Sequence, residues 1–306
     1  MNKQAWALAL MVVVAACQRE SVLYCQMNPS AAECVGSIDA PRACASNDEC
    51  SGGTPVCDTA GSMTCVQCLP EQAQACSGTT PTCGDDQSCR GCAAHTECAI
   101  SNACLPDGAC AAEGEVAYVG GPGATDNETC TMLVPCTKAM KALARGRPYV
   151  LFAGTTDEGS AVVVIEDQNV ILLAKPGAKL TRTFDGIILE IKGTSQVTIY
   201  DLEISGGAGT TGTGVVLQLG GAPTVSLLRA TIAGNSGGGV LAYGGSLKVS
   251  QSTISDNRRG GVYVREALFD LTNNFIVHNG NQTTSPFGGV HLSAAPGKRV
   301  AFRRAA

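Results

Sequence analysis

From Pro148 onward the chain alternates short apolar pairs with glycine-rich polar turns. Val197-Thr198-Ile199 leads to Ile204, Val225-Ser226-Leu227 to Ile232, Leu247-Lys248-Val249 to Ile254, and Phe269-Asp270-Leu271 to Ile276. In every row the apolar residues stand seven and five places before the closing isoleucine, and those isoleucines are 28, 22 and 22 residues apart. Asn235, Asn257 and Asn279 follow the last three isoleucines by three residues, and glycine-rich turns reset the chain to Val215, Val240, Val262 and Val290. Period-two alternation over a few residues predicts strands, and a fixed repeat in the low twenties predicts a solenoid. Because like residues recur at like positions, corresponding strands should stack in parallel about 4.8 Å apart. Inward Val, Ile and Leu then form continuous ladders. An asparagine at a recurrent bend can satisfy the backbone amides of its own and adjacent coils.

Upstream of this repeat the periodicity changes. Residues 137–146 read as a short helix, with Thr137 as N-cap, Gly146 as stop, and Met140, Leu143 and Ala144 on one face. Placed before the repeat, that helix should cap the solenoid's open N-terminal end. Cys130 and Cys136 would tie the preceding loop to it. Residues 18–114 contain almost no apolar run longer than four but hold 14 of the 17 cysteines. Cys44, Cys68 and Cys92 lie 24 residues apart and each opens a four-cysteine unit. The units are Cys44, Cys50, Cys57, Cys65; Cys68, Cys76, Cys83, Cys89; and Cys92, Cys98, Cys104, Cys110. Turn formers fill the gaps, so cross-links must replace a core, typically at about 2–4 kcal/mol per bridge. Two disulfides per unit are expected, with three pairings open in each, and a further bridge from Cys25 to Cys34. Cys65-Val66-Gln67-Cys68 and Cys89-Arg90-Gly91-Cys92 also have zinc-site spacing. Their place in a dense cysteine ladder of an exported chain favours disulfides, and no metal or cofactor is expected.

Export is read from the first residues. A positive start at Lys3 and an apolar stretch of 12 residues, Ala5 to Ala16, make a signal peptide too short to span a bilayer. The string Val14-Ala15-Ala16-Cys17 resembles the bacterial lipobox, which implies cleavage after residue 16 and lipid on the Cys17 thiol. An ordinary cleavage nearby is the alternative. Setting Cys17 aside leaves 16 cysteines, an even number. Gln18 in place of an aspartate favours outer-membrane anchoring among Gram-negative lipoproteins. Charge supports a division near residue 114. Residues 18–114 carry 3 basic and 12 acidic groups and residues 115–306 carry 17 and 14. No extended basic patch argues for nucleic acid. The sequence thus divides into a signal peptide (1–16), lipidated disulfide modules (17–114, with repeats near 44–67, 68–91 and 92–110), a loop with a capping helix (115–148), and the solenoid (149–306).

The solenoid half resembles the right-handed parallel β-helix family, the fold of pectate lyases and of many surface and adhesion proteins. The resemblance implies a mainly β chain and is specific for fold, not for activity. Lyases of this kind need clustered carboxylates for calcium and a nearby arginine, and hydrolases need several aspartates with a histidine. Neither constellation is present. Asp185, Glu190, Asp201, Glu203, Asp256, Glu266 and Asp270 are scattered. One local group remains. Asp256 and His278 are 22 residues apart, hence on adjacent coils, and Arg258 and Arg259 follow Asp256. These could serve acid–base chemistry, but an exposed ion pair beside the asparagine ladder explains them as well. His95 and His291 have no partner evident in the sequence. Gly207-Ala208-Gly209-Thr210-Thr211-Gly212 spells GxGxxG but precedes a strand, so no helix N-terminus is there for a phosphate.

The sequence therefore predicts a non-enzymatic envelope lipoprotein that displays a β-helix for glycan or protein binding, with its lipid in the membrane. A polysaccharide lyase or hydrolase is the alternative. Val300-Ala301-Phe302 begins another strand without a capping unit after it. That implies an open end fit for self-association, or a chain cut from a longer family member.

Overall fold

The computed structural model describes residues 42–280 and 287–293. The signal peptide, Cys17, the Cys25–Cys34 bridge and the strand expected at 300–302 lie outside these residues. The described chain falls into two compact units, one of residues 42–91 with 107–109, the other of 92–106 with 110–280 and 287–293. Composition changes near residue 114, whereas compactness changes at 91, because the third cysteine module folds with the solenoid.

The first unit is built on disulfides. Cys44–Cys57 and Cys50–Cys65 staple one module, and Cys68–Cys83 and Cys76–Cys89 the next. Each module pairs its first cysteine with its third and its second with its fourth. A small antiparallel hairpin carries the last two, with Cys57 opposite Cys65 and Cys83 opposite Cys89. Asp58 holds the first module's turn. Its carboxylate accepts from the backbone N–H of Gly61 (2.9 Å) and Ser62 (2.8 Å), and from Gln87 Nε2 of the second module (3.0 Å). The Ser62 and Gln87 donors foremost, acting against desolvation, lower its pKa to about 2.

The second unit is a right-handed parallel β-solenoid of about six turns. Three sheets form its walls. Sheet A has seven strands, from Val116–Val119 to Leu268–Thr272. Sheet B has six, from Thr155–Asp157 to Phe275–Val277, and sheet C six, from Val163–Glu166 to Val290–Ser293. The register follows the sequence repeat. Val197, Val225, Leu247 and Phe269 pair in succession, as do Ile199, Leu227, Val249 and Leu271. Ile204, Ile232, Ile254 and Ile276 stack in sheet B, and Val215, Val240, Val262 and Val290 in sheet C. Except on the last coil these side chains are buried, each worth about 1.5–3 kcal/mol.

The asparagine ladder forms as a run of amide bonds inside the solenoid. Asn235 Nδ2 donates to Asn257 Oδ1 (2.9 Å), and Asn257 Nδ2 to Asn279 Oδ1 (3.0 Å). The backbone N–H groups of Asn235 and Asn257 donate to the same two oxygens. At the top, Gly207 holds the ladder position and its N–H donates to Asn235 Oδ1 (2.9 Å). Glycines 214, 239 and 261 face the ladder, each just before the stacked valine. A Cβ on Gly239 would lie 2.7 Å from Gly261 O and 2.8 Å from Asn257 Nδ2, so the recurrent glycine is required by close approach of the coils.

Two expectations are corrected. The helix spans Ala139–Leu143 rather than 137–146, and Lys138 stands at its N-cap. Thr137 does not cap it. The buried Glu158 carboxylate takes that role from a distant turn, accepting from Ala139 N–H (2.5 Å), and burial raises its pKa. Ala139, Ala142 and Leu143 enter the main core, and the helix packs on strands Val116–Val119 and Val163–Glu166. The solenoid also begins earlier than 149. Val116–Val119 is a four-residue parallel partner of Tyr149–Phe152, and its buried side chains are followed by the Cys130–Cys136 disulfide. The intervening loop hides this coil from the repeat.

Candidate functional site

Asp256, Arg258 and His278 are not linked by any hydrogen bond or ion pair among the described residues. Asp256 and His278 take the same turn position on adjacent coils, with φ of 57° and 55°. This left-handed turn directs both away from the core, and both are exposed. The backbone N–H of Arg258 serves the fold by donating to Asn235 O (2.9 Å).

The outer face of sheet C is different. Strand alternation turns Val216, Leu241 and Tyr263 outward in one column, with His291 continuing it. Tyr243 joins from the next column. Its ring centroid is 5.7 Å from that of Tyr263, and Tyr263 is 6.1 Å from Phe287 and 5.3 Å from His291. Phe287 meets His291 edge-on at 5.2 Å. The aromatic cluster borders a cavity of about 400 Å³ floored by Val216 and Leu241. Thr211, Thr213 and Arg259 line other parts of it, and no described lining residue is acidic.

Arg259 is the charged group of this cavity. Its Nε is buried without a hydrogen-bond partner among the described residues, and no described carboxylate forms an ion pair with it. An unpaired buried donor is costly, and the Arg259 side chain lines the cavity with a positive charge that no described carboxylate neutralises. Two acidic side chains of the same sheet are engaged elsewhere. Glu190 accepts from Gln218 Nε2 (2.6 Å), and Glu166 pairs with Lys192 (3.0 Å). Burial raises the pKa of Tyr243, keeping its hydroxyl protonated.

One wall is the loop that spells GxGxxG. Gly207 and Gly212 are in backbone contact at its neck, where a Cβ on Gly212 would lie 2.3 Å from Gly207 C. Asp185 fastens it, accepting from the Thr211 N–H (2.9 Å) and Thr211 Oγ1 (2.8 Å), and these bonds lower its pKa. The glycines therefore close a side loop, not a phosphate cradle. The sequence held one signal for this wall. The first isoleucine spacing is 28 rather than 22, and three of the six additional residues belong to this loop, the other three to the turn between Leu217 and Thr224. Tyr263 and Phe287 carried no mark, and Arg259 was legible only as a neighbour of Asp256.

The cysteine triplets that could offer metal ligands, such as Cys68, Cys76 and Cys89, all belong to disulfides. Residues 185–299 match the family model of the right handed beta helix region. No curated protein matches the chain, and no solved structure does. The match concerns the β-helix fold and leaves open whether the face binds or catalyses.

Proposed function

We propose that the protein is an envelope lipoprotein, anchored through Cys17, that binds acidic saccharides on the outer face of sheet C. The observation that carries this reading is Arg259, whose Nε has no hydrogen-bond partner among the described residues, in a cavity whose described lining has no carboxylate, beside Tyr243, Tyr263 and Phe287. Aromatic faces take the C–H face of a sugar ring, and their polar edges stay wet. A guanidinium takes a planar carboxylate through paired N–H donors. The absence of a carboxylate cluster from the described lining favours binding over lyase or hydrolase chemistry, which needs one for a metal or for acid–base transfer.

A glycan-array screen of the full chain tests this, with captured glycans analysed by mass. Acidic oligosaccharides should be retained intact. Arg259→Gln should lower their affinity about tenfold or more while sparing weak neutral-sugar contacts, and Tyr263→Ala should lower both. Retention of neutral glycans alone would refute the acidic specificity. Shortened or unsaturated products would establish the enzymatic alternative.

A further inference from the structure

The third cysteine module carries a histidine where the first carries an asparagine. In the first module Asn47 Oδ1 accepts from Cys57 N–H (2.8 Å), and Glu49 accepts from Ala45 N–H. In the third, His95 Nδ1 accepts from Cys104 N–H (3.0 Å), and Glu97 accepts from Ala93 N–H. Two of the three modules thus place a side-chain acceptor at this position, and an amide serves there as an imidazole does. The imidazole adds reach. Its Nε2 lies 3.3 Å from Ala174 O, at the end of strand Asn169–Ala174 in sheet A.

The two contacts determine the tautomer. A backbone N–H can only donate, so Nδ1 must be bare, and the proton must sit on Nε2 to meet a carbonyl. Around this latch the module lies on the outer face of sheet A. Ala103 and Ala111 pack with Tyr118, Leu151 and Leu173, and Tyr118 Oη donates to Ser101 O (2.6 Å). We infer that His95 is a pH-sensitive latch, and that its protonation releases the third disulfide module from the outer face of sheet A. A second proton on the ring would place Nδ1–H against Cys104 N–H, two donors face to face.

The surroundings agree with this sign. Burial foremost lowers the His95 pKa, and Lys175, just beyond the sheet A strand, adds to that. The Ala174 carbonyl and Asp201 oppose it. Asp201 is held by Arg229 through two bonds of 2.7 and 2.8 Å. Glu97, on the histidine's own turn, is committed to Ala93 N–H. A histidine whose folded pKa is depressed contributes stability that is complete above its ordinary value of about 6.5 and declines as pH falls toward the folded value. Within that window each unit by which the pH falls should raise the module's opening constant by up to about tenfold.

Hydrogen exchange of the full chain between pH 8 and 4, corrected for intrinsic rates, reads the opening. Amides of 95–105 should lose protection below about pH 6.5 while Asn235 and Asn257 hold theirs. His95→Asn, which keeps the acceptor as Asn47 does, should abolish that dependence. Ring carbon and nitrogen shifts of wild-type His95 should show the Nε2–H tautomer at neutral pH and titrate together with the loss of protection. pH-independent protection, the same dependence in His95→Asn, or the Nδ1–H tautomer would each overturn the latch.

Discussion

Asn257→Ala isolates the contribution of the inner polar ladder. The side chain makes four bonds: Nδ2 to Asn279 Oδ1 and to Ile232 O, and Oδ1 from the N–H and the Nδ2 of Asn235. The site is fully buried, so water cannot replace them without opening the coil. At about 1 kcal/mol net per bond, with the stranded Asn235 N–H and Ile232 carbonyl adding to the loss, the expected cost is about 3–5 kcal/mol. Asn279 makes three such bonds and is 8% exposed, so Asn279→Ala should cost less, about 2 kcal/mol. Since coil stability in a solenoid is a sum of nearest-neighbour terms, the damage should be local. Native-state hydrogen exchange of the full chain, disulfides intact, is the assay. Amides of 231–242 and 253–265 should lose most protection, and those of 170–174 little. A cost below about 1 kcal/mol for Asn257→Ala, or a larger one for Asn279→Ala, would refute the ladder argument.

Other outcomes follow from the same geometry. Gly239→Ala inserts a methyl against Gly261 O and Asn257 Nδ2 and should cost about 1–3 kcal/mol; an unchanged melting temperature would show that the coils are not in contact there. Arg229→Ala removes a pair whose side chains are 49% and 41% exposed, so chemical denaturation should find less than about 1 kcal/mol, and a larger loss would show that its contact with the Tyr200 ring matters more than the ion pair. Asp58, with its pKa lowered to about 2, contributes stability that is present above the ordinary carboxylate value and is lost as pH falls through about 2; a carboxyl carbon titrating near the ordinary value would contradict its hydrogen-bond set. Thiol labelling of native protein should find all 14 described cysteines unreactive, as the seven disulfides require, and four labelled thiols after removal of stoichiometric zinc would restore the metal reading.

The sequence alone determined the repeat, and through it the register. Ile204, Ile232, Ile254 and Ile276 stack as their spacing requires, because a period-two strand facing a buried core cannot slip by one residue without turning its apolar side outward. The same holds for Asn235, Asn257 and Asn279, whose amides satisfy one another only when the coils are in phase. Grouping of cysteines into units was likewise legible. Their pairing was not, since Cys44 reaches Cys57 rather than Cys50 or Cys65 through the path of the turns between them. The coil at Val116–Val119 escaped the repeat because the Cys130–Cys136 loop and the helix replace its other two walls. Tertiary structure alone decided the candidate face. Tyr243, Tyr263, Arg259 and Phe287 are ordinary outward residues of separate turns and strands. They become one cavity only where sheet C aligns them and the three-residue insertion between Ile204 and Val215 raises a wall. His95 likewise gained its meaning from Ala174, 79 residues away, because an imidazole is a satisfied base or an unpaired one according to what packs against it.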